Sequence, residues 1–213
     1  MQRLRLKFSR GEELKFLSHL DLMRLWERAL RRARLPLAYS EGFTPHPQIA
    51  LAAPLSVGIT SQAELMDVVL SRWLPPQTFM AQTKEQLPHG IELLEVWPVG
   101  PKTSSLQSQV RFVEYRVEVE IESKFQEVEQ ALQSLLSAKE LHWHHLRDTG
   151  ARYYDLRALI DDIWLIDYHD SLCVLGMRLC CDEKGTGRPE QVAKALGFSQ
   201  RPKSIHRTNL ILS

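Results

Sequence analysis

The order in which hydrophobic periodicities follow one another is the feature of this sequence that most constrains its fold. Apolar and basic residues alternate strictly in "RLRLKF", from Arg3 to Phe8, which predicts a half-buried strand with a basic outer face. A helix is predicted next, from about His19 to Arg34. Ser18 stands three residues before Asp21 in a capping-box-like start, and the helical pattern stops before Pro36.

Four further elements complete the first half of the sequence. Two strand-like runs, a helix and a closing strand follow the first helix, and βαββαβ is the order of the ferredoxin-like plan. These segments are, in order, "IALAAPL", "AELMDVVLS", "PQTFMAQTKEQL" and "IELLEVWPV". Residues 100–109, "GPKTSSLQSQ", then have the composition of a linker.

The same order of elements starts again after this linker. No close residue-level repeat accompanies it, so the match is one of element order. The sequence therefore predicts an α+β protein of two tandem ferredoxin-like halves, residues 1–100 and 110–213. The segments of the second half are "VRFVEYRVEVEI", "SKFQEVEQALQSLLSA", "RALIDDIWLID", "SLCVLGMRLCC", "GRPEQVAKALG" and "SIHRTNLIL".

Positive charge is concentrated at the start of the chain. Residues 1–34 hold ten Lys/Arg and four Asp/Glu, whereas the remainder is net acidic. Arg24, Arg28 and Arg31 recur at i, i+4 and i+7, which places three guanidinium groups on one helix face. Such a row can follow the phosphates of a nucleic acid. The alternative is an ordinary solvated face, since Asp21 and Glu27 offer local ion pairs.

An unusually rigid connection follows the basic helix. Gly42 and Phe43 form a glycine-aromatic turn, and His46 lies between two prolines. A stiff loop would present Phe43 and His46 beside Arg24 and Arg28, where an aromatic ring and an imidazole suit an unpaired base and its phosphate. The alternative is that Phe43 fills the core while the prolines direct a strand crossing.

A second candidate site lies before the last helix. Gly185 and Gly187 flank Thr186, Arg188 follows, and a helix is predicted to start at Pro189. Backbone N–H groups at a helix start can bind an anion where glycines permit close approach. The alternative is a plain tight turn that leads into the helix.

Histidines are the candidate catalytic groups. His19 or His46, together with Arg24, has the chemistry of a metal-independent ribonuclease, which needs a general acid, a general base and cations. His142 and His144 would share a face of a strand, but two ligands do not make a metal site. No metal or organic cofactor is therefore predicted.

The cysteines and the hydrophobic runs indicate the cellular location of the protein. Cys173, Cys180 and Cys181 form neither a disulfide framework nor a zinc motif, so we expect reduced thiols. No apolar run of about 18 residues and no signal-like segment occurs. The sequence predicts a soluble cytoplasmic protein without a membrane partner.

Three segments resemble a known family. Ser18 to Asp21 ("SHLD"), Gly42 to Glu64 ("GFTPHPQIALAAPLSVGITSQAE") and Arg188 to Gly197 ("RPEQVAKALG") closely resemble the radical-SAM-linked domain family of unknown function. Its members look like stand-alone proteins or C-terminal extensions of radical-SAM enzymes. The resemblance implies a radical-SAM protein as partner and a genomic association with RNA-linked or ribosome-linked genes. This chain lacks cluster-binding cysteines, so it is not the radical-SAM half itself.

Three functional hypotheses follow. The first is a non-catalytic RNA-binding or substrate-presenting partner of a radical-SAM RNA-modifying enzyme. The second is a metal-independent RNA-processing enzyme, an idea to which the likeness of tandem ferredoxin-like halves to CRISPR-repeat-processing endonucleases adds a fold analogy. The third is a protein–protein adaptor that binds no nucleic acid.

Overall fold

A computed structural model describes residues 1–100, 102–121, 125–147, 150–169, 171–182 and 185–213. The chain divides into two compact units, Met1–Val110 and Arg111–Ser213. The first unit therefore includes the whole segment whose composition predicted a linker, residues 100–109. Leu106–Gln109 in that segment is a short helix capped by the Ser105 side chain, which accepts a hydrogen bond from the N–H of Ser108.

The first unit is a four-stranded sheet with helices between its strands. The strands lie in the order β2-β3-β1-β4, and neighbouring strands run antiparallel. The elements are β1 (Gln2–Arg10), α1 (His19–Arg32), β2 (Ile49–Leu51), β3 (Thr60–Leu70), α2 (Pro76–Lys84), β4 (Ile91–Val99) and α3 (Leu106–Gln109).

Helix α1 begins and ends for local reasons. Ser18 is its N-cap, and the Oγ atom accepts a hydrogen bond of 3.2 Å from the N–H of Asp21, as the capping pattern predicts. The helix ends two residues before the predicted boundary, because Arg34 adopts a left-handed backbone conformation with φ of 53°.

One face of α1 packs on the sheet and forms the core of the first unit. Trp26 is fully buried, and its ring lies edge-on to Phe8 of β1 with 4.8 Å between ring centroids. The alternation in β1 is confirmed on this side, where its apolar side chains point inward. The fully buried apolar residues of β1 are Leu4, Leu6 and Phe8.

The basic side of β1 differs from the expected exposed face. Arg5 is only 5% exposed, because its guanidinium donates to both carboxylate oxygens of Asp67 at 2.8 and 3.2 Å. Arg3 donates to the same carboxylate. The predicted basic outer face of β1 therefore offers no free positive charge at these two arginines. Asp67, on β3, is the residue that the alternating pattern did not reveal.

The second unit is also built around an antiparallel sheet. β9 lies between β5 and β8, and β11 flanks β5 on its other side. A separate two-stranded sheet consists of β6 and β7. The elements are β5 (Val110–Glu120), α4 (Phe125–Ser137), β6 (His142–Arg147), β7 (Gly150–Asp155), β8 (Ile160–His169), β9 (Leu172–Asp182), β10 (Gly185–Thr186), α5 (Pro189–Ala195) and β11 (Ser204–Leu212).

The α+β class is confirmed. The β6–β7 hairpin is the main element that the sequence did not predict, since "HWHH" indicated a strand but nothing identified its partner. Whether both units are ferredoxin-like stays a prediction that is taken up below. Among the described residues, no helix is both long enough and apolar enough to cross a membrane.

Candidate nucleic-acid interface

The outward face of α1 carries the predicted arginine row. Arg24, Arg28 and Arg31 are all exposed. Arg24 lies 3.6 Å from Asp21, and Arg31 lies 3.8 Å from Glu27. Both are surface ion pairs of the kind worth about 0–1 kcal/mol, so a phosphate can replace either carboxylate at little cost. Arg28 forms no ion pair within the described part of the chain.

The rigid connection folds back on itself as a small loop, residues 38–48, which we call the aromatic loop. Tyr39 forms a β-bridge with Pro47. The N–H of Ser40 donates to the carbonyl of His46 at 2.9 Å, and the Ser40 hydroxyl accepts from the N–H of His46 at 3.1 Å. These bonds close the loop at its neck.

The aromatic loop is also attached to the edge of β3. The N–H of Ala38 donates to the carbonyl of Val69 at 2.8 Å, and the N–H of Val69 donates to the carbonyl of Gln48 at 3.0 Å. Both ends of the loop therefore bond to one residue of the sheet. A loop held in this way keeps its tip in place.

Phe43 lies at the tip of the aromatic loop and is fully exposed to solvent. Gly42 precedes it with φ of 126°, a conformation that a residue with a Cβ atom rarely adopts. The alternative in which Phe43 fills the core is therefore wrong. The Phe43 ring is therefore accessible to a partner, and its role in binding stays a prediction.

Tyr39 joins the loop to the arginine row. The Arg31 guanidinium lies over the Tyr39 ring, 6.0 Å from its centroid. Sequence reasoning expected Arg24 and Arg28 to stand beside the loop, but the contact that the structure shows is made by Arg31. Tyr39 was missed, although an aromatic residue just before the "SEGF" turn was a signal that could have indicated it.

The two candidate catalytic histidines are exposed and lack supporting groups. His19 is the first residue of α1, and His46 lies at the neck of the aromatic loop. Within the described residues, neither imidazole has a hydrogen-bond or ion-pair partner that would orient it. The same residues contain no group of three or more side chains that could hold a metal ion.

The glycine segment before α5 is engaged in sheet structure. Gly185 and Thr186 form β10, which pairs with the end of β9, and the N–H of Gly187 donates to the carbonyl of Cys180 at 2.9 Å. A Cβ atom on Gly187 would lie 2.8 Å from the Leu159 carbonyl oxygen, so close packing explains this glycine. This geometry favours the tight-turn alternative. Anion binding at Gly185–Arg188 stays a prediction.

Comparisons with known proteins give a family and a fold. Residues 3–189 match the family model described as an uncharacterized protein conserved in bacteria (DUF2344). That description contains no reference to radical-SAM proteins. No curated protein matches the chain.

Three solved structures are similar to nearly the whole chain. A crystal structure of a Cbf5-Nop10-Gar1 complex has a TM-score of 0.54 at 10% identity, with 98% of this chain and 48% of that chain covered. The structure of an H/ACA RNP bound to a substrate RNA containing 2'-deoxyuridine has a TM-score of 0.48 at 8% identity, with 97% of this chain and 46% of that chain covered. A crystal structure of the archaeal box H/ACA sRNP Nop10-Cbf5 complex has a TM-score of 0.47 at 7% identity, and the coverage of the two chains is again 97% and 46%. This chain spans about half the length of the three chains it is compared with. Its similarity to the Cbf5-Nop10-Gar1 structure, at 10% identity, concerns the fold alone.

Proposed function

We propose that this chain, which belongs to the bacterial DUF2344 family of uncharacterized proteins, is a non-catalytic RNA-binding or substrate-presenting protein. The observation that carries the proposal is the contact between Arg31 and Tyr39, because it joins the arginine row of α1 to the aromatic loop. Cations and exposed rings thereby belong to one surface of the first unit.

The arginine row supplies the electrostatic part of binding. Successive residues of a helix rise about 1.5 Å, so Arg28 and Arg31 stand about 6 and 10 Å along the axis from Arg24. Guanidinium groups at such intervals contact several phosphates of one strand and release their counterions. Arg28, which forms no described ion pair, binds a phosphate without first giving up a carboxylate.

The aromatic loop supplies the part that recognises bases. Phe43 and Tyr39 offer ring faces on which an unpaired base stacks, and such contacts are worth about 1–3 kcal/mol each. Bases inside a duplex are not accessible to these rings. The proposed ligand is therefore a single-stranded segment or a loop of RNA.

A non-catalytic role fits the surroundings of the histidines. General acid–base catalysis needs a group that is positioned by a neighbour, and neither His19 nor His46 has such a neighbour among the described residues. The alternative, a metal-independent RNA-processing enzyme, predicts RNA cleavage in the presence of EDTA. It also predicts that His19→Ala or His46→Ala abolishes that cleavage.

Two finer elements belong to the proposal. Both units are proposed to be ferredoxin-like, which their strand orders support: β2-β3-β1-β4 in the first unit and β8-β9-β5-β11 in the second place the four main strands alike. The β6–β7 hairpin is then an insertion in the second unit. A radical-SAM enzyme is proposed as the partner that receives the RNA, on the resemblance of the three sequence segments.

The protein–protein adaptor remains a second candidate because of one exposed apolar patch. Phe16 and Leu20 are 70% and 64% exposed, and they flank the start of α1. Val57, on the neighbouring loop, is also exposed, and the N–H of Gly58 donates to the carbonyl of Lys15 at 2.7 Å, which holds that loop beside Phe16. Patches of this kind serve protein contacts.

The test is the binding of labelled single-stranded RNA at two or more salt concentrations. Wild type is compared with Arg24→Glu/Arg28→Glu, and Arg111→Glu/Lys139→Glu is the control because it reverses two exposed charges in the second unit. We expect loss of binding only in the first variant. Each phosphate contact contributes about 0.7 to the slope of log K against log salt, so the wild-type slope should be about −2 or steeper.

Two outcomes contradict the proposal in different ways. No binding by the wild type at low salt removes the RNA function, and salt-insensitive capture of a radical-SAM protein without RNA then supports the adaptor. Equal loss in the control variant shows that net charge, rather than the α1 surface, determines binding.

A further inference from the structure

A groove in the second unit lies between the β6–β7 hairpin and the wall formed by α5 and residues 198–202. Its volume is about 700 Å³, which lies within the range of clefts that bind organic ligands. The residues that argue for its ligand are Trp143 and His144 on the hairpin and Lys194, Phe198 and Arg201 on the opposite wall.

The hairpin is braced against α5 rather than free in solvent. The Tyr154 hydroxyl on β7 donates a hydrogen bond to Oε1 of Gln191 on α5. On the neighbouring pair of the ladder, His144 lies opposite Tyr153. The bond fixes the Trp143–Tyr154 side of the hairpin beside the α5 wall, whereas the Tyr153–His144 pair points to the other face of the hairpin.

The hairpin carries aromatic rings that the core of the unit does not use. Tyr153 is 78% exposed, and its ring lies 6.0 Å from the His144 imidazole at an interplanar angle of 36°. Trp143 is half-buried in the groove, and Phe198 is half-buried on the opposite wall. Exposed ring faces beside a groove are stacking surfaces for planar, π-rich groups such as nucleobases.

Two cations stand on the wall opposite Trp143. Lys194 and Arg201 are exposed, and neither forms an ion pair within the described part of the chain. Glu190 is the one acidic residue in the groove lining that the structure describes. Aromatic faces on one side and surplus cations on the other are complementary to a base and to its phosphates.

We infer that this groove binds a single-stranded segment of RNA. A base stacks on the Trp143 ring, which lines the groove, and neighbouring phosphates contact Lys194 and Arg201. Both cations are exposed, as are those that follow a nucleic-acid backbone, and the groove is open rather than closed around one phosphate. The inference rests on the proposed RNA function and adds to it a contact surface on the second unit.

The experiment measures binding of labelled 12-nucleotide poly(U) and poly(A) RNA by fluorescence anisotropy. Trp143→Ala should weaken binding at least about five-fold, the effect of losing one stacked base, whereas Tyr153→Ala, which removes a ring from the other face of the hairpin, should not. Lys194→Gln/Arg201→Gln should lower the salt slope by about 1.4, or 0.7 for each phosphate contact. Trp73→Ala, which removes a 72% exposed ring from the first unit, is the matched aromatic control and should leave binding unchanged.

The Arg24→Glu/Arg28→Glu variant is measured in the same experiment. If it loses binding while the groove variants bind as wild type does, the groove inference is overturned and the proposed function stands. If the wild type binds neither RNA at low salt, both are overturned. Binding of AMP or UMP, lost in Trp143→Ala, without binding of the 12-mers would assign the groove to a free nucleotide and overturn its assignment to RNA.

Discussion

Removal of one buried carboxylate should destabilise the first unit more than any change on its surface. Asp67 is 4% exposed and accepts hydrogen bonds from the guanidinium groups of Arg3 and Arg5. Asp67→Ala leaves the Arg5 charge buried without its counter-ion. Breaking a buried pair by removal of one partner costs about 3–5 kcal/mol.

The surroundings of Arg5 place the expected loss near the lower end of that range. The Nη1 atom of Arg5 also donates to Oε1 of Gln109 at 3.0 Å, and this bond survives the substitution. Arg3 has two carbonyl acceptors of its own, on Thr103 and Ser104. We therefore expect Asp67→Ala to lower the free energy of unfolding of this unit by about 3 kcal/mol.

The assay is urea unfolding followed by tryptophan fluorescence. Trp143 and Trp164 belong to the second unit, so a Trp143→Phe/Trp164→Phe background makes the signal report the first unit. With a slope of about 2 kcal/mol per molar urea, the midpoint should fall by about 1.5 M. Glu95→Ala is the control, because it breaks an exposed pair with Lys7 on the same sheet. It should shift the midpoint by less than about 0.3 M.

A double variant tests whether the unpaired Arg5 charge causes this loss of stability. Arg5→Met combined with Asp67→Ala removes both buried charges, so the double variant should be more stable than Asp67→Ala by at least about 1 kcal/mol. If the double variant is as unstable as the single one, or if Asp67→Ala shifts the midpoint no more than Glu95→Ala does, stranded charge is not the cause.

Three further predictions concern separate parts of the chain. Phe43→Ala should weaken RNA binding about five-fold or more without a change in the urea midpoint, since the ring is fully exposed; a lowered midpoint would mean that it packs on the protein. Ser18→Ala should cost about 1 kcal/mol of stability through loss of the α1 cap, measured in the same background. Burial raises the pKa of Cys173 to about 11, so in a Cys180→Ser/Cys181→Ser variant about one thiol in a thousand is ionised at pH 8. A thiol reagent should therefore label Cys173 only after unfolding, and fast labelling of the native protein would contradict this.

Periodicity predicted the elements whose two faces differ in polarity. Alternation located β1, and helical spacing located α1 together with its N-cap at Ser18, because both patterns follow directly from backbone geometry. The β6–β7 hairpin was not predicted, since the apolar residues of its two segments, "HWHHLR" and "GARYYD", do not alternate regularly with polar ones.

The candidate site was predicted in its parts but not in its arrangement. The exposure of Arg24, Arg28 and Arg31 follows from helical geometry. The contact between Arg31 and Tyr39 depends on how the aromatic loop bonds to β3, and hydrogen bonds between distant segments leave no local pattern. Asp67 illustrates the same limit, because pairing across a sheet decides whether a basic residue is available to a ligand.

The contacts of Arg3 with Thr103 and Ser104 determine where proteolysis or truncation would separate the first unit from the rest of the chain. The Nη1 and Nη2 atoms donate to these two carbonyls at 2.8 and 2.9 Å, and Leu106 is buried. A segment with the composition of a linker is thus fastened to the first strand, and its backbone should resist a protease that cleaves flexible chain. A shortened protein that ends at residue 100 would lack these contacts, whereas one that ends at residue 110 would retain them.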